Sequence, residues 1–249
     1  MKNFKQGTIS FNAFTLKLIA IIGMTLNHAS ITFSDNISQI TKIALFPLGG
    51  TTFPIMAFLL VEGYRYTSNF KLYAQRLLLF AILAQGPYMW AMRFRSLNVM
   101  FTLLLGLVTL YLYDNMEKRK LFWLAFVGLA LITSIMDWGV IGILIILLYH
   151  VIQVKWKRFV IPILLPVVFV IGELCVYAIV PSISLDDKIH RFTFGVIGCG
   201  LTIPLLMKYN EQRGRTLKYL FYFFYPVHLL ILALIRGALF QDWVFVWWR

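Results

Sequence analysis

The chain is predicted to be an all-α, polytopic transmembrane helical bundle, a single domain over residues 1–249. Three observations carry that prediction. Hydrophobic residues fill 60% of the 249 positions, and mean hydropathy is +0.80. Apolar runs follow one another with only short polar breaks. Each run approaches the ~20 residues that a helix needs to cross a hydrocarbon core about 30 Å thick.

About nine spans are expected, near 12–34, 43–62, 72–92, 97–114, 120–136, 138–154, 159–180, 192–207 and 217–240. The first follows a short polar stretch, Met1 to Ser10. It has no small-residue cleavage site, so it reads as a retained helix and not a signal peptide. Gly49, Gly50 and Pro54 interrupt the second, which predicts a kink or break there. Between the fifth and sixth only Asp137 and its neighbours intervene. The last carries Tyr225-Pro226-Val227-His228 at its middle. No stretch is long enough for a separate soluble domain.

Lys and Arg set the orientation. With the N-terminus in the cytoplasm, about 15 fall in inner loops and about 6 in outer ones, a bias that supports this topology. The net charge of +13 is therefore read as positive-inside patterning of a multi-pass protein of the cytoplasmic membrane, not as a nucleic-acid surface. Trp243, Trp247 and Trp248 fit an interfacial aromatic belt. Cys175 and Cys199 lie in separate spans without metal-ligand spacing and receive no role, and no metal site is predicted.

Ionisable and amide groups at membrane depth are costly, about 2.5–3.5 kcal/mol for a charge at a helix centre, so each is a functional candidate. Given this topology, Asn27, His28, Gln85, Asn98, Asp137 and Glu173 lean toward the outer face and could line one polar cavity. Glu62, Arg65, Lys71 and Arg76 gather near the inner face. His28 suits a general base for an attacking amine or hydroxyl, with a hydrogen-bonding role in helix packing as the alternative. For His228 a packing role and a catalytic one are both open. Glu62 and Arg65, three apart, form either a local ion pair or part of a phosphate site in which Arg65, Lys71 and Arg76 hold an anion. Asp137 could simply end a helix, and Lys17 can snorkel to the inner interface. No phosphate-cradling glycine loop and no Ser-His-Asp spacing is present.

Four strings carry a family resemblance: Leu16 to Ala20 running on to Asn27-His28; Phe53-Pro54 through Glu62-Gly63-Tyr64-Arg65; Arg76-Leu77-Leu78-Leu79-Phe80-Ala81; and Leu97-Asn98-Val99-Met100-Phe101 through Gly106. With the ending Tyr222 to Leu229, these resemble the TraX family of integral membrane proteins linked to conjugative pilin N-acetylation. That family is similar in turn to a wider superfamily of transmembrane acyltransferases. The resemblance implies His28 as the catalytic residue and Lys17, Glu62, Arg65, Arg76, Asn98 and His228 as site or scaffold positions. Two positions depart from the family pattern: Asn27 stands where an acid usually precedes the first-helix His, and Thr51 stands where an Arg is usual.

The expectation is thus a membrane acetyltransferase. Acetyl-CoA would be the cytoplasmic donor, its phosphates on Arg65 and Arg76 and its pantetheine arm threading toward His28. Asn27 or Asn98 would donate to the oxyanion, with Tyr225, His228 and Asp137 as further site candidates. The acceptor would be a peptide (favoured by the resemblance), a glycan or a lipid at the outer side. A small-molecule transporter using the same cavity, and a membrane assembly factor without chemistry, are the alternatives.

Overall fold

A computed structural model describes residues 10–179, 184–215 and 218–244. Trp247, Trp248 and the basic Lys2, Lys5 and Arg249 lie outside the described residues, as does most of the Met1 to Ser10 stretch. The helices are α1 (Ala13–Thr32), α2 (Gln39–Gly50), α3 (Thr52–Arg65), α4 (Phe70–Met92), α5 (Val99–Asn115) and α6 (Arg119–Thr133). After these come α7 (Gly139–Val151), α8 (Lys155–Ile179), α9 (Leu185–Arg191), α10 (Cys199–Met207) and α11 (Lys218–Phe240), with a π-helical stretch, Phe192–Gly198, joining α9 to α10. No β-strand occurs among the described residues; Phe11 and Tyr209, and Leu97 and Met136, form isolated backbone bridges.

Local chemistry explains the boundaries. Asn12, Ser38, Asn69, Asn98 and Ser184 each accept a hydrogen bond from a first-turn amide and so cap α1, α2, α4, α5 and α9. The expected interruption of the second span is real: the stretch splits at Thr51 into α2 and α3. There the chain comes so close to the π-helical stretch that a Cβ on Gly50 would meet the Phe194 carbonyl and one on Gly198 the Pro47 carbonyl. Small residues let helix backbones approach in this way where lipid offers no hydrophobic drive.

The all-α bundle expected from the sequence is the fold observed, and its helices differ in length. Five stretches are long and apolar enough to cross a membrane: Ala13–Thr32, Gln39–Arg65, Lys155–Ala178, Leu185–Met207 and Tyr219–Phe240. The helix α4 is 23 residues long but carries Lys71, Gln75, Arg76 and Gln85. By contrast α5, α6 and α7 have 17, 15 and 13 residues, and 13 residues rise only about 20 Å. The shortening has a visible cause in the α6–α7 turn, which is drawn in against the start of α5. Leu97 donates to the Ile135 carbonyl at 3.0 Å, Asp137 donates to the Leu97 carbonyl at 2.8 Å, and the Thr102 hydroxyl donates to the Asp137 carbonyl. Trp138 takes a left-handed φ of 64° and stacks on Phe53 with ring centroids 4.4 Å apart.

Two ties hold α11 beside α1 and α4. At its near end, the connector after α10 is stitched to the start of α1: Phe11 donates to the Lys208 carbonyl, Ala13 to the Gln212 carbonyl and Asn210 to the Phe11 carbonyl, at 2.8–2.9 Å. At its far end, buried Arg236 donates to the Ala91 and Trp90 carbonyls at 2.9 and 2.6 Å. These belong to the last turn of α4, where a helix has carbonyls to spare and favours a cation. The middle of α11, with Tyr225 and His228, is thereby pressed against the outer third of α1.

Candidate active site

His28 of α1 and His228 of α11 are 9% and 5% exposed, and they bond directly: Nδ1 of His28 lies 2.8 Å from Nε2 of His228. The ring planes differ by 8° and the centroids are 5.1 Å apart. That separation is close to the hydrogen bond plus two ring radii, so the bond runs along both rings. The other nitrogen of His228, Nδ1, is 2.8 Å from the Phe224 carbonyl, which can only accept.

This chain of contacts sets the tautomers of the neutral pair. His228 carries its hydrogen on Nδ1, so its Nε2 accepts from the Nδ1–H of His28. The nitrogen that remains, His28 Nε2, holds a lone pair. No partner for it is present among the described residues, and His28 lines a cavity of about 950 Å³.

The cavity opens at the end that the charge bias assigns to the outside, where Ser34, Lys42, Asp186, Asp187 and Arg191 line its mouth. Its walls are aromatic, with Phe53, Tyr88, Trp138, Phe194 and Tyr225. Its inner end stops at Ala20, Ile21, Leu103 and Phe221. Asp137, in the α6–α7 turn, is part of the wall; burial pushes its carboxyl up to about 6, against a hydrogen bond from the Trp138 amide. Asn27, 8% exposed, also faces the cavity. Its Oδ1 has no hydrogen-bond partner, and the side chain fills the space where Gly49 has no Cβ.

The structure sorts the candidates. It brings together His28, Asn27, Tyr225, Asp137 and, through its bond to His28, His228. It keeps three expected lining groups out. Asn98 is fully buried and committed: its amide donates to the Ala81 carbonyl and to Gln85 Oε1, both at 2.8 Å, while its Oδ1 caps Met100. It therefore has no amide hydrogen left for an oxyanion. Gln85 is spent on Asn98 and on the Ser96 carbonyl. Glu173 pairs with Arg191 at 3.0 Å.

The inner-face candidates do not line this cavity either. Glu62 pairs with Arg158 at 2.7 Å and with Arg65 at 3.6 Å. Arg65 also donates to the His150 carbonyl at 3.3 Å, and Arg158 donates to the Tyr149 carbonyl at 2.7 Å. This network ties α3 to α7 and α8. Arg76 lies over Tyr73 at 5.9 Å, with its Nε unpartnered. Lys17 sits over the Phe221 ring at 5.2 Å, so Phe221 stands between that cation and the cavity.

Sequence reasoning missed Arg158, which carried only a topology signal, and the wall formed by Tyr88, Phe53 and Trp138. Aromatic residues at helical spacing read as core, and nothing local distinguishes a wall from a core.

Comparison with known proteins now has a geometry to refer to. The family model described as "TraX protein" matches residues 13–236. The chain is 30% identical over 243 residues to the probable fimbrial assembly protein FimC, serogroup H1, of Dichelobacter nodosus, covering 90% of this chain and 96% of that protein. No solved structure matches. With the match running from the start of α1 to the Arg236 tie of α11, this multi-pass membrane protein belongs to the TraX family.

Proposed function

We propose that this protein is an acetyltransferase of the cytoplasmic membrane that serves pilus or fimbrial assembly, the role named for its Dichelobacter relative. The observation that carries the reading is the Phe224–His228–His28 relay, which leaves one basic imidazole nitrogen facing a cavity open to the outer side. A purely structural histidine pair would gain nothing from a void beside its unused lone pair.

The reaction follows from that nitrogen. An acceptor amine or hydroxyl entering from the outer mouth attacks the carbonyl carbon of the acetyl thioester, and the carbonyl π pair moves to oxygen. His28 Nε2 takes the proton from the attacking atom. His228 holds the imidazole in register and accepts from its Nδ1–H throughout. It does so without the full charge compensation that a carboxylate would give. The tetrahedral intermediate then collapses, the C=O re-forms, the C–S bond breaks, and the thiolate leaves with the proton from His28. Acetyl-CoA and acceptor become acetylated acceptor and CoA.

Acetyl-CoA reaches the inner end of the cavity from the basic face, where Lys17 and Arg76 are among the cations with no carboxylate partner within the described residues. Phe221 turns aside to admit the pantetheine arm. The favoured acceptor is a peptide amine, with a glycan or lipid hydroxyl as the competing class. The test is transfer of labelled acetyl from acetyl-CoA by purified protein to solubilised envelope, followed by mass spectrometry of peptides and lipids. A mass increase of one acetyl group that His28→Ala abolishes supports the reading; no transfer to any component refutes it.

One observation favours a second reading. A cavity between helices with charged residues at its outer mouth is what a transporter in its outward-facing state presents. Uptake into proteoliposomes without CoA would select it.

A further inference from the structure

We infer that the Tyr225 hydroxyl, set against the amide end of α5, is the oxyanion-stabilising group of this cavity; this rests on the acyl-transfer reading above. Two hydrogen-bearing groups in or behind the wall are spent. Asn98 donates both amide hydrogens to Ala81 and Gln85. The Tyr88 hydroxyl is paired with Ser96 at 3.0 Å. Tyr225 is 4% exposed, lines the cavity, and its hydroxyl donates to no acceptor among the described residues. A buried hydroxyl without an acceptor is costly, by about 1–3 kcal/mol, and a ligand atom that completes it removes that cost.

Its position fits the reaction. The Tyr225 ring centroid is 6.3 Å from that of His28 and 5.6 Å from that of His228, at 62° and 54° to their planes. The hydroxyl lies beside the Val99 backbone N–H. Val99 is the first residue of α5, and the amides that follow are occupied: Met100 donates to Asn98 Oδ1 and Phe101 to the Asn98 carbonyl, both at 3.0 Å. The first turn of α5 carries no acidic residue to offset its partial positive charge. The polar end of a 17-residue helix and an unspent phenol proton thus converge on one wall, a turn from the base.

This also assigns Asn98 and Gln85 a place. With Gln85 Oε1 accepting from both the backbone and the side chain of Asn98, they hold the start of α5 where Val99 meets Tyr225. They are positioning residues and do not reach the substrate.

In the step itself, the negative charge that forms on the thioester oxygen as the nucleophile adds is held by the Tyr225 O–H without proton transfer. It is released when the C–S bond breaks. The test uses purified full-length protein, radiolabelled acetyl-CoA and solubilised envelope from cells lacking the protein. Tyr225→Phe keeps the ring packing and removes only the donor; kcat is expected to fall about 10²–10³-fold with KM for acetyl-CoA unchanged.

Ring-fluorinated tyrosines placed at position 225 provide a second measurement that does not depend on the fold tolerating Phe. Their hydroxyls are more acidic, and kcat is expected to change systematically with that acidity. A Tyr225→Phe protein at the wild-type rate, or a flat response to fluorination, overturns the inference and leaves acyl transfer intact. Wild-type protein that transfers no more label than His28→Ala overturns the acyl-transfer reading, and this inference with it.

Discussion

Two histidine centres at opposite ends of the bundle differ in what holds them, a carboxylate at one and a second imidazole at the other. At the inner face, His150 Nε2 is 2.8 Å from Asp114 Oδ1, the Tyr64 hydroxyl donates to the other oxygen of Asp114 at 3.0 Å, and Arg65 takes the His150 carbonyl. Nearby Glu62 is held between Arg158 and Arg65. The charged groups there are paired with one another, although the second nitrogen of His150, Nδ1, has no hydrogen-bond partner among the described residues. At the outer end, His28 is held by a neutral imidazole; among the described residues its second nitrogen and the Asn27 Oδ1 have no hydrogen-bond partner, and the Tyr225 hydroxyl has no acceptor. The difference separates architecture from chemistry. Charges paired across helices lock those helices together, whereas uncharged polar groups lining the larger cavity can engage a substrate.

The sharpest way to break this comparison is to remove each histidine in turn. His28→Gln is expected to cost about 10²–10⁴-fold in acetyl transfer, the usual share of a general base, while His150→Gln leaves the rate within about twofold. Equal losses in the labelled-acetyl assay would erase the distinction. Stability should show the reverse. Arg158→Ala strands the buried Glu62 carboxylate and is expected to lower unfolding stability by about 3–5 kcal/mol, read as a drop in thermal midpoint in detergent. His28→Gln should scarcely move that midpoint.

A smaller effect is expected at Gly49, where a methyl group would run into the Asn27 side chain. Gly49→Ala should destabilise by about 1–3 kcal/mol through overpacking and impair transfer by displacing α1 next to His28. A variant of normal stability and activity would show that Asn27 has room to move.

The last prediction concerns the unpaired carboxyl of the outer half. Asp137 is held up to about 6 in the folded protein, against 3.8 for an ordinary aspartate. A raised carboxyl favours the folded state while protonated in it, so this contribution is present below pH 3.8 and is lost as pH rises to about 6. Asp137→Asn should remove that slope, so that wild type and variant diverge across this window and stay parallel above it. A constant difference from pH 4 to pH 8 would mean that the carboxyl is not buried as described.

Much of this was legible along the chain. The break between α2 and α3 could be read from Gly49, Gly50 and Pro54, and His28 could be picked out as a polar group in a lipid-spanning run. The weakness lay in assigning roles to polar groups. Asn98 and Asn27 looked equally able to stabilise an oxyanion, yet Asn98 is consumed by Ala81 and Gln85. Arg65 and Arg158 both looked like surface cations, yet together they clamp one buried glutamate. Likewise the fifth span ended at Thr133, where the Asp137 turn finds hydrogen bonds at the start of α5, which hydropathy does not record.

The amino-acid sequence by itself determined the class of the molecule: a membrane-spanning α-helical chain, its points of interruption and the histidine to suspect. These depend on transfer of side chains into lipid and on local helix breaking, both properties of neighbours in the chain. Only the tertiary structure decided that His28 meets an imidazole 200 positions away, which nitrogen is left free, and that Tyr225 keeps its proton unclaimed. Hydrogen-bond capacity is used up between segments distant in sequence, and it can be counted only after they have met.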